Sequence, residues 1–248
     1  MTQTTPTGTP APFAKADIQI CTFLKSLKFE PQVIYDLGAS NGAWTRAMLP
    51  VFPQAHFELF EPQAHRNSDY DQYLLPLVDR HANLRLHTNL VSNVDASLQL
   101  RIVGRSGVGS SLLGTSANDH SIEVPSRTLD SMIQAREIAP PDIIKMDIQG
   151  AELLALQGAA KRALPHASIL ALELWMIRGY GSQTPLLTEV MEFLTAHDYF
   201  PFDFGDCYRD EGLLVAQDVW FCRLGTKLAD QLWKGKLTRQ ATPFEAQV

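Results

Sequence analysis

The segment PQVIYDLGASNGAWTRAMLPVF, residues 31–52, constrains the fold of this chain more than any other. It contains a short apolar run that ends in Asp36, then a glycine-containing loop, and then sequence compatible with a helix. A strand, a loop and a helix in this order form the opening unit of a doubly wound sheet. Ligands of such sheets bind beyond the carboxyl ends of the strands, so the loop is the first candidate binding element.

The same alternation of strand and helix continues along the chain. AHFELFEP predicts a second strand, HRNSDYDQYLLPLVDR a helix that is interrupted or ends near Pro76, and ANLRLHTNLVS a third strand. The alternation resumes with the strands DIIKMD and ASILALEL and the helical segments GAELLALQGAAKRAL and PLLTEVMEFLTAHD. This pattern predicts an α/β fold with a mostly parallel sheet and helices on both faces.

Two segments depart from the alternation. ASLQLRIVG and HSIEVPS flank the glycine- and serine-rich RSGVGSSLLGTSAND and predict an inserted pair of strands joined by a loop. YFPFDFGDCYRDEGLLVAQDVWFCRL predicts two strands at an antiparallel edge. We therefore expect a flexible leader over residues 1–13, one domain over 14–225 that opens with an extra helix, and a polar tail with a helix over 226–248.

Composition and charge disfavour several classes of function. A formal net charge of -6 argues against the broad basic face that nucleic-acid binding needs. The three cysteines, Cys21, Cys207 and Cys222, show no zinc or disulfide spacing. The first residues lack the features of a signal peptide, and no segment approaches the roughly 20 apolar residues of a membrane helix. We therefore expect a cytoplasmic protein with no nucleic-acid partner and no membrane contact.

The glycine loop indicates which ligand could bind. It lacks the G-x-G-x-x-G pattern of NAD enzymes, and Asp36 would repel a pyrophosphate but suit a cation. Glu61, at the end of the second strand, could accept hydrogen bonds from both ribose hydroxyls. Together these acids favour a positively charged nucleoside such as S-adenosylmethionine. The alternatives are a plain tight turn, in which Asp36 accepts from backbone N–H groups, and a solvated strand end at Glu61.

Seven segments in order, VIYDLGASNGAW, ELFEP, SSL, RTLD, IIKMDIQGAELLALQGA, ILALEL and DVWFCR, resemble the FkbM family of S-adenosylmethionine-dependent methyltransferases. The Asp-x-Gln-Gly-Ala-Glu stretch is the most specific part of this resemblance, which runs from about residue 31 to 223. The resemblance implies a Rossmann-like class I methyltransferase fold with a seven-stranded sheet. It also implies methylation of a hydroxyl on a sugar, polyketide or other small metabolite.

The resemblance also implies a set of cofactor-binding residues. Asp36, Gly38 and Gly42 would lie at the methionine part of S-adenosylmethionine and Glu61 at its ribose. Gln149 stands where many relatives have Glu, so no role is assigned to a third acid there. The full set of predicted cofactor-binding residues is Asp36, Gly38, Asn41, Gly42, Glu61, Pro62, Ser111 and Asp147.

Asp147 and Glu173 are the candidate catalytic residues. In such a fold Asp147 ends the fourth strand, beside the transferring methyl group, and could act as the base that removes the proton of the acceptor. Together with Glu173 it could instead bind a divalent cation such as Mg²⁺ that orients and acidifies the acceptor. Glu152 follows on the first turn of a helix that starts around Gln149, where it could fix the turn or pair with Lys145.

The small-molecule acceptor is expected to contact loops above the strand ends. Trp175, Arg178 and Tyr180 could stack on a ring and bind an anionic group, or form a solvated loop anchored by one aromatic residue. Ser111 could offer a hydroxyl to a ligand or only form a turn. Asp218 is a further candidate for the same crevice, and His120 is the one histidine of interest because it falls in the inserted region.

Other functions remain open on the sequence alone. They are an N-methyltransferase or peptide-directed methyltransferase, a non-catalytic nucleoside-binding subunit, and an NAD-dependent dehydrogenase on fold grounds. The acids mildly favour a hydroxyl acceptor, because an unprotonated amine needs less help from a base. Extra helices at both ends of the domain could mediate a homodimer or cover the site.

Overall fold

The structure is a computed structural model that describes residues 14–103, 107, 109–113 and 120–234. The predicted leader, most of the glycine- and serine-rich loop and the end of the predicted tail lie outside the described residues. The helices are α1 (Lys15–Ser26), α2 (Ala43–Met48), α3 (Ser68–Arg80), α4 (Leu129–Gln134), α5 (Glu152–Gln157), α6 (Leu187–Ala196) and α7 (Lys227–Trp233). The strands are β1 (Val33–Leu37), β2 (His56–Phe60), β3 (Leu84–His87), β4 (Leu90–Val91), β5 (Ala96–Ile102), β6 (His120–Arg127), β7 (Ile143–Met146), β8 (Ile169–Trp175), β9 (Tyr199–Asp210) and β10 (Leu213–Arg223).

The main sheet has seven strands in the order β3-β2-β1-β7-β8-β10-β9. The first five are parallel to one another, and β10 runs antiparallel to both β8 and β9. The predicted mostly parallel α/β sheet is thus confirmed. From β1 the chain proceeds outward to β3 and then returns to the centre at β7. The strand order therefore reverses between β1 and β7, which is the point where open α/β sheets bind ligands.

Helices cover both faces of this sheet because the central strands carry apolar side chains in both directions. In β1, Ile34 points to the layer that contains α1, α2, α3 and α7, whereas Tyr35 and Leu37 point to the layer that contains α4, α5 and α6. All three side chains are fully buried. Continuous apolar runs of this kind are typical of parallel strands that are covered on both sides.

The predicted inserted strand pair, β5 and β6, is present and antiparallel. The short strand β4 pairs with β6 in parallel, which gives a second sheet of three strands. Leu90, Leu100 and Val124 form a small apolar core for this sheet. The sequence had suggested one strand over ANLRLHTNLVS, but the chain leaves the main sheet after His87 and enters the second sheet at Leu90.

The expected break near Pro76 is wrong, because α3 continues through this residue to Arg80. A proline inside a helix cannot donate to the carbonyl four residues earlier, here that of Gln72. Gln72 is exposed, so water can reach its carbonyl. The buried side chains of Leu74 and Leu77 on either side of the proline keep the helix on the sheet.

Helices α1 and α7 lie outside the strand–helix alternation but pack on the same face of the sheet. The first residues of the predicted tail form α7, whose Leu228 and Ala229 are buried. Thr226 begins this helix by accepting a hydrogen bond from Ala229 N at 3.1 Å. Among the described residues, no helix is long and apolar enough to cross a membrane.

Candidate functional site

The loop after β1 is shaped by Gly38, which has φ +78°. The backbone N–H groups of Gly38 and Ala39 both donate to Phe60 O, at 3.0 and 3.1 Å. A Cβ at position 38 would overlap the carbonyl oxygen of Asp147. Only glycine therefore fits here without a shift of the backbone, and it brings the β1 loop against the end of β7.

The second half of the loop starts helix α2. Gly42 is the N-cap, with φ +75°, and a Cβ there would lie 2.8 Å from Leu77 Cδ2. Asn41 Oδ1 accepts a hydrogen bond from Ala43 N at 3.1 Å. These contacts give Asn41 and Gly42 a clear role in folding the loop, while their predicted contact with a cofactor stays a prediction.

Glu61 follows β2 directly and ties two loops together. Its carboxylate accepts hydrogen bonds from Ser40 N at 2.8 Å and Gln63 N at 2.9 Å. Burial raises the pKa of Glu61 to about 7, although these two backbone donors favour the ionised form. The carboxyl group is thus fixed next to the glycine loop and close to its protonation midpoint at neutral pH.

A cavity, which we call the glycine-loop cavity, opens between this loop, the second sheet and the end of β7. Four of the predicted cofactor-binding residues line it, namely Gly38, Glu61, Pro62 and Asp147. The apolar part of its wall consists of Leu37, Phe60, Leu90, Val91, Leu100, Leu112, Ile148 and Ala151. The cavity thus combines bare backbone, one buried carboxyl group and an apolar wall.

Ser111 stands beside the glycine-loop cavity, and its hydroxyl already has partners. It donates to Gln149 O at 2.6 Å and accepts from Leu113 N at 3.0 Å. Its neighbours Ser110 and Leu112 line the cavity. The structure therefore gives Ser111 the role of anchoring this loop to the segment after β7, and its predicted contact with a cofactor stays a prediction.

Asp36 lies beneath the glycine loop and is fully buried. Thr45 Oγ1 donates to Asp36 Oδ2 at 2.6 Å, and Lys145 Nζ lies 3.3 Å from Asp36 Oδ1. Lys145 Nζ also donates to Gly38 O at 3.3 Å and lies 3.8 Å from Asp147 Oδ2. Burial opposes the charge on Lys145, but Asp36 and then Asp147 raise its pKa above the usual range. A buried ion pair thus joins β1 to β7 at the reversal of strand order.

Strand register places further charged residues on the same face as Asp36. Asp36 pairs with Lys145 across β1 and β7, and Glu173 pairs with Asp218 across β8 and β10. Side chains two residues apart on an extended chain point the same way, so Lys145 and Asp147, the latter directly after β7, share a side. A row of charged groups therefore crosses the sheet on the face that α1 and α2 cover.

These groups line a second cavity, which we call the acidic cavity. It contains five carboxyl side chains, one ammonium group and two indole rings. The residues that line it are Asp17, Trp44, Lys145, Met146, Asp147, Ala171, Leu172, Glu173, Asp206, Cys207, Tyr208, Ala216, Gln217, Asp218 and Trp220. Asp147 lines both cavities and therefore stands at their junction.

Asp17 is a residue of this cavity that the sequence analysis missed. It accepts hydrogen bonds from Trp44 Nε1 at 2.8 Å and Trp220 Nε1 at 3.1 Å, and burial raises its pKa to about 6. The signal was present in α1, because Asp17 precedes the buried residues Ile20 and Cys21 by three and four positions. A carboxylate in register with the apolar stripe of a helix indicates a buried polar contact.

The acids of this cavity favour their protonated forms. Burial raises the pKa of Glu173 to about 10, and the nearby Asp147, Glu152 and Asp218 add to the shift. Burial likewise raises the pKa of Asp218 to about 8. The acidic cavity therefore holds fewer negative charges at neutral pH than its carboxyl groups suggest. Within the described residues, no group of three or more His, Cys, Asp or Glu side chains is arranged to hold a metal ion.

Glu152 fixes the turn that follows β7. Glu152 Oε1 accepts from Ile148 N at 3.0 Å and from Gly150 N at 3.3 Å, and burial raises its pKa to about 7. Of the two readings of this residue, the contacts match the one in which it fixes the turn. Helix α5 begins at Glu152 itself, and Gln149 and Gly150 form a left-handed turn before it.

The predicted acceptor residues after β8 divide into two groups. Arg178 binds Glu189 through two nitrogens, at 2.8 and 3.2 Å, and donates to Thr184 O at 2.6 Å, which holds its loop on α6. Trp175 and Tyr180 pack edge to face with ring centroids 5.0 Å apart. The Tyr180 hydroxyl donates to Gln149 Oε1, so Tyr180 reaches the carboxyl groups through this amide.

Of the two further candidates, Asp218 lines the acidic cavity and His120 does not. His120 is exposed at the start of β6 and lines a separate pocket with Arg66 and Asn67. The inserted sheet thus contributes to the glycine-loop cavity through Leu90, Val91 and Leu100 rather than through this histidine.

Comparison with known sequences identifies one family. The family model described as methyltransferase FkbM domain matches residues 36–201, which is more than half of the chain. This match contains the glycine loop, Glu61 and the segment around Asp147. No curated protein sequence matches the chain significantly.

Solved structures with the same fold include a methyltransferase FkbM from Methylobacillus flagellatus KT. It is 19% identical with a TM-score of 0.50, and the match covers 76% of this chain and 43% of that chain. The present chain thus spans less than half of that protein, and a similarity of this size supports the fold alone.

Two other structures are less similar. The 1,6-didemethyltoxoflavin-N1-methyltransferase of Burkholderia thailandensis, solved with 1,6-didemethyltoxoflavin and S-adenosylhomocysteine, is 14% identical with a TM-score of 0.46, covering 84% of this chain and 79% of that chain. The magnesium protoporphyrin IX methyltransferase of Synechocystis PCC 6803, solved with bound SAM, is 10% identical with a TM-score of 0.47, covering 83% and 76%. Similarities at this level carry no argument about function.

Proposed function

The chain belongs to the FkbM methyltransferase family, and from that premise we propose that it is an S-adenosylmethionine-dependent methyltransferase acting on a hydroxyl of a small metabolite. The proposed acceptor class is a hydroxylated sugar, polyketide or other small metabolite. One observation carries the proposal: two cavities meet at Asp147, at the reversal of strand order in the sheet. A transferase needs such a pair of adjoining sites, one for the donor and one for the acceptor.

The glycine-loop cavity fits the donor. The bare backbone at Gly38 allows close approach, the apolar wall around Phe60 and Val91 suits an adenine ring, and Glu61 can accept from ribose hydroxyls. S-adenosylmethionine supplies an electrophilic methyl group when bound. The Asp36–Lys145 ion pair holds β1 and β7 together beneath this cavity, so Asp36 contributes by fixing the loop.

The acidic cavity is the proposed acceptor site. Asp147 is its candidate base, because its carboxylate has 41% of the side-chain surface exposed and stands at the junction of the two cavities. Glu173 is held close by and favours its protonated form, so it can donate a hydrogen bond to an acceptor oxygen while Asp147 accepts the proton. Tyr180 is connected to these acids through the amide of Gln149, and its ring packs on Trp175.

The metal-dependent alternative assigns Asp147 and Glu173 to a divalent cation such as Mg²⁺. Carboxylates are suitable ligands for this ion, which would orient and acidify a hydroxyl. The direct-base mechanism predicts activity that a chelator does not change. Loss of activity in a chelator, restored by magnesium, would favour the cation.

N-methylation of an amine is the second candidate, and it rests on the composition of the acidic cavity. Carboxyl groups and the two indole rings of Trp44 and Trp220 would attract a protonated amine. A candidate base at Asp147 favours a hydroxyl acceptor instead, because a hydroxyl needs more help with proton removal than an unprotonated amine does. A peptide-directed methyltransferase or a non-catalytic nucleoside-binding subunit would also bind its nucleoside in the glycine-loop cavity.

The proposal is tested by incubating the protein with S-adenosylmethionine labelled in its methyl group and with matched panels of hydroxylated and amine-bearing small molecules. Transfer of label to hydroxylated compounds is the expected result. Transfer to amines alone would establish the second candidate. Tight binding of S-adenosylmethionine without transfer to any panel member or peptide would favour the non-catalytic subunit.

A further inference from the structure

The side-chain amide of Gln149 lies between the two candidate catalytic acids. Its nitrogen Nε2 is 2.5 Å from Asp147 Oδ1 and 3.3 Å from Glu173 Oε2. A glutamine amide carries two N–H hydrogens, so it can donate one to each carboxyl group. The two acids, one directly after β7 and the other on the neighbouring strand β8, are therefore bridged by one neutral group.

Tyr180 fixes the orientation of this amide. Its hydroxyl donates to Gln149 Oε1, which turns the nitrogen towards the acids. The flipped amide would place its oxygen against two carboxyl groups and leave no acceptor for the hydroxyl. Hydrogen bonds thus run from Tyr180 to Gln149, and from Gln149 to both Asp147 and Glu173.

The backbone at Gln149 is also held in an uncommon conformation. Its φ is +57°, a left-handed value that few residues other than glycine adopt. Ser111 Oγ donates to Gln149 O at 2.6 Å, and Glu152 binds the N–H groups on either side of this residue. Conformations of this kind persist where the surrounding structure enforces them, often at functional sites.

We propose that Gln149 is a positioning residue for the transfer step, and that its amide occupies the place that a divalent cation would take between Asp147 and Glu173. The inference rests on the proposed function, because it concerns the geometry of the acids at the reacting group. A neutral amide fixes the two acids without covering Asp147 Oδ2, which stays available for the proton of the acceptor. Replacing the amide with a carboxylate would remove both donors and create a cluster of three acids suited to a cation.

The test is a calorimetric titration with MnCl₂ of the wild-type protein, Gln149→Glu and Gln157→Glu. Gln157 is the matched control, because it is exposed on α5 and its amide oxygen accepts from Asn93 Nδ2 at 3.0 Å. We expect Gln149→Glu to bind Mn²⁺ at least about tenfold more tightly than the wild type, and Gln157→Glu to behave as the wild type. Circular dichroism of each variant checks that it is folded.

Two results would overturn the proposal. One is a folded Gln149→Glu variant that gains no affinity for Mn²⁺. The other needs no variant at position 149: Mn²⁺ binding by the wild type that is lost in Glu173→Gln would mean that a cation, and not the amide, bridges the acids.

The proposed function is tested separately, by titration of the wild type with S-adenosylmethionine. If the folded protein does not bind S-adenosylmethionine, the methyltransferase proposal is removed whatever the Mn²⁺ titration shows. In active protein, Gln149→Met and Tyr180→Phe should lower kcat with a smaller effect on the KM for the acceptor, because each disturbs the position of the acids. If instead KM changed and kcat did not, Gln149 and Tyr180 would have a role in binding only.

Discussion

The backbone of Gly38 passes so close to Asp147 that a Cβ at position 38 would overlap the Asp147 carbonyl oxygen. This contact joins the glycine loop after β1 to the end of β7, beside Asp147, which lines both cavities. It makes the proposed donor site depend on the absence of a side chain at one position.

Gly38→Ala should therefore weaken S-adenosylmethionine binding by at least about tenfold, because the loop must move away from β7. Calorimetric titration measures the effect. Gly212→Ala is the matched control, since Gly212 also has a positive φ, of +86°, but a Cβ there would have no atom within 4 Å. Equal loss of affinity in both variants would show that backbone conformation, and not the contact with Asp147, is responsible.

Glu61→Gln should lower the affinity for S-adenosylmethionine and remove its dependence on pH. In the wild type, burial raises the pKa of Glu61 to about 7, so the group loses its proton and gains acceptor capacity as pH rises through neutrality. Wild-type affinity should increase from pH 6 to pH 8, and that of the variant should stay flat by comparison. A wild-type affinity that falls over this range would contradict the assignment of Glu61 to the ribose.

Glu173→Gln should stabilise the protein at alkaline pH. In the folded protein, burial raises the pKa of Glu173 far above its usual value near 4.5. Above pH 4.5 the unfolded chain therefore binds fewer protons than the folded protein, and the free energy of unfolding falls as pH rises. Glutamine cannot ionise, so the variant should not lose stability in this way. At pH 8 its free energy of unfolding should exceed that of the wild type by about 1 kcal/mol or more. Chemical denaturation at pH 4 and pH 8 measures the difference, which should be small at pH 4.

The control for this experiment is Glu192→Gln, the same substitution at an exposed position of α6. Its free energy of unfolding should follow that of the wild type at both values of pH. A Glu173→Gln variant that is less stable than the wild type at pH 8 would mean that Glu173 is ionised and paired in the folded protein.

Asp147→Asn should retain S-adenosylmethionine binding but lose turnover by at least about a hundredfold, because asparagine cannot accept the proton of a hydroxyl. Asp210→Asn, the same change at an exposed site on β9, should leave turnover unchanged. Steady-state kinetics with an acceptor from the hydroxyl panel provide the comparison. Full turnover by Asp147→Asn would remove this residue as the base.

The first strand, its loop and the topology of the sheet could be predicted because their signals are local. An apolar run, Asp36 and the glycines at 38 and 42 follow one another within ten residues of sequence. The continuation of α3 through Pro76 could not be predicted, because it depends on the exposure of Gln72 and the burial of Leu74 in the folded chain.

The acidic cavity could be predicted only in part. Asp147 directly follows the apolar strand β7 and Glu173 lies near the end of β8, so the strand pattern points to both. Asp17, in contrast, accepts a hydrogen bond from Trp220 across 203 positions of sequence. No local pattern reports that contact. Arg178 shows the opposite case: its charge suggested a ligand, whereas the folded chain supplies Glu189 and Thr184 as partners.

The most direct test of the central claim is calorimetric titration of the wild-type protein with S-adenosylmethionine and, separately, with NAD. We expect binding of S-adenosylmethionine in the micromolar range and no binding of NAD, because the glycine loop lacks the dinucleotide pattern. Binding of NAD, or no binding of S-adenosylmethionine by the folded protein, would contradict the assignment of the glycine-loop cavity to a methyl donor.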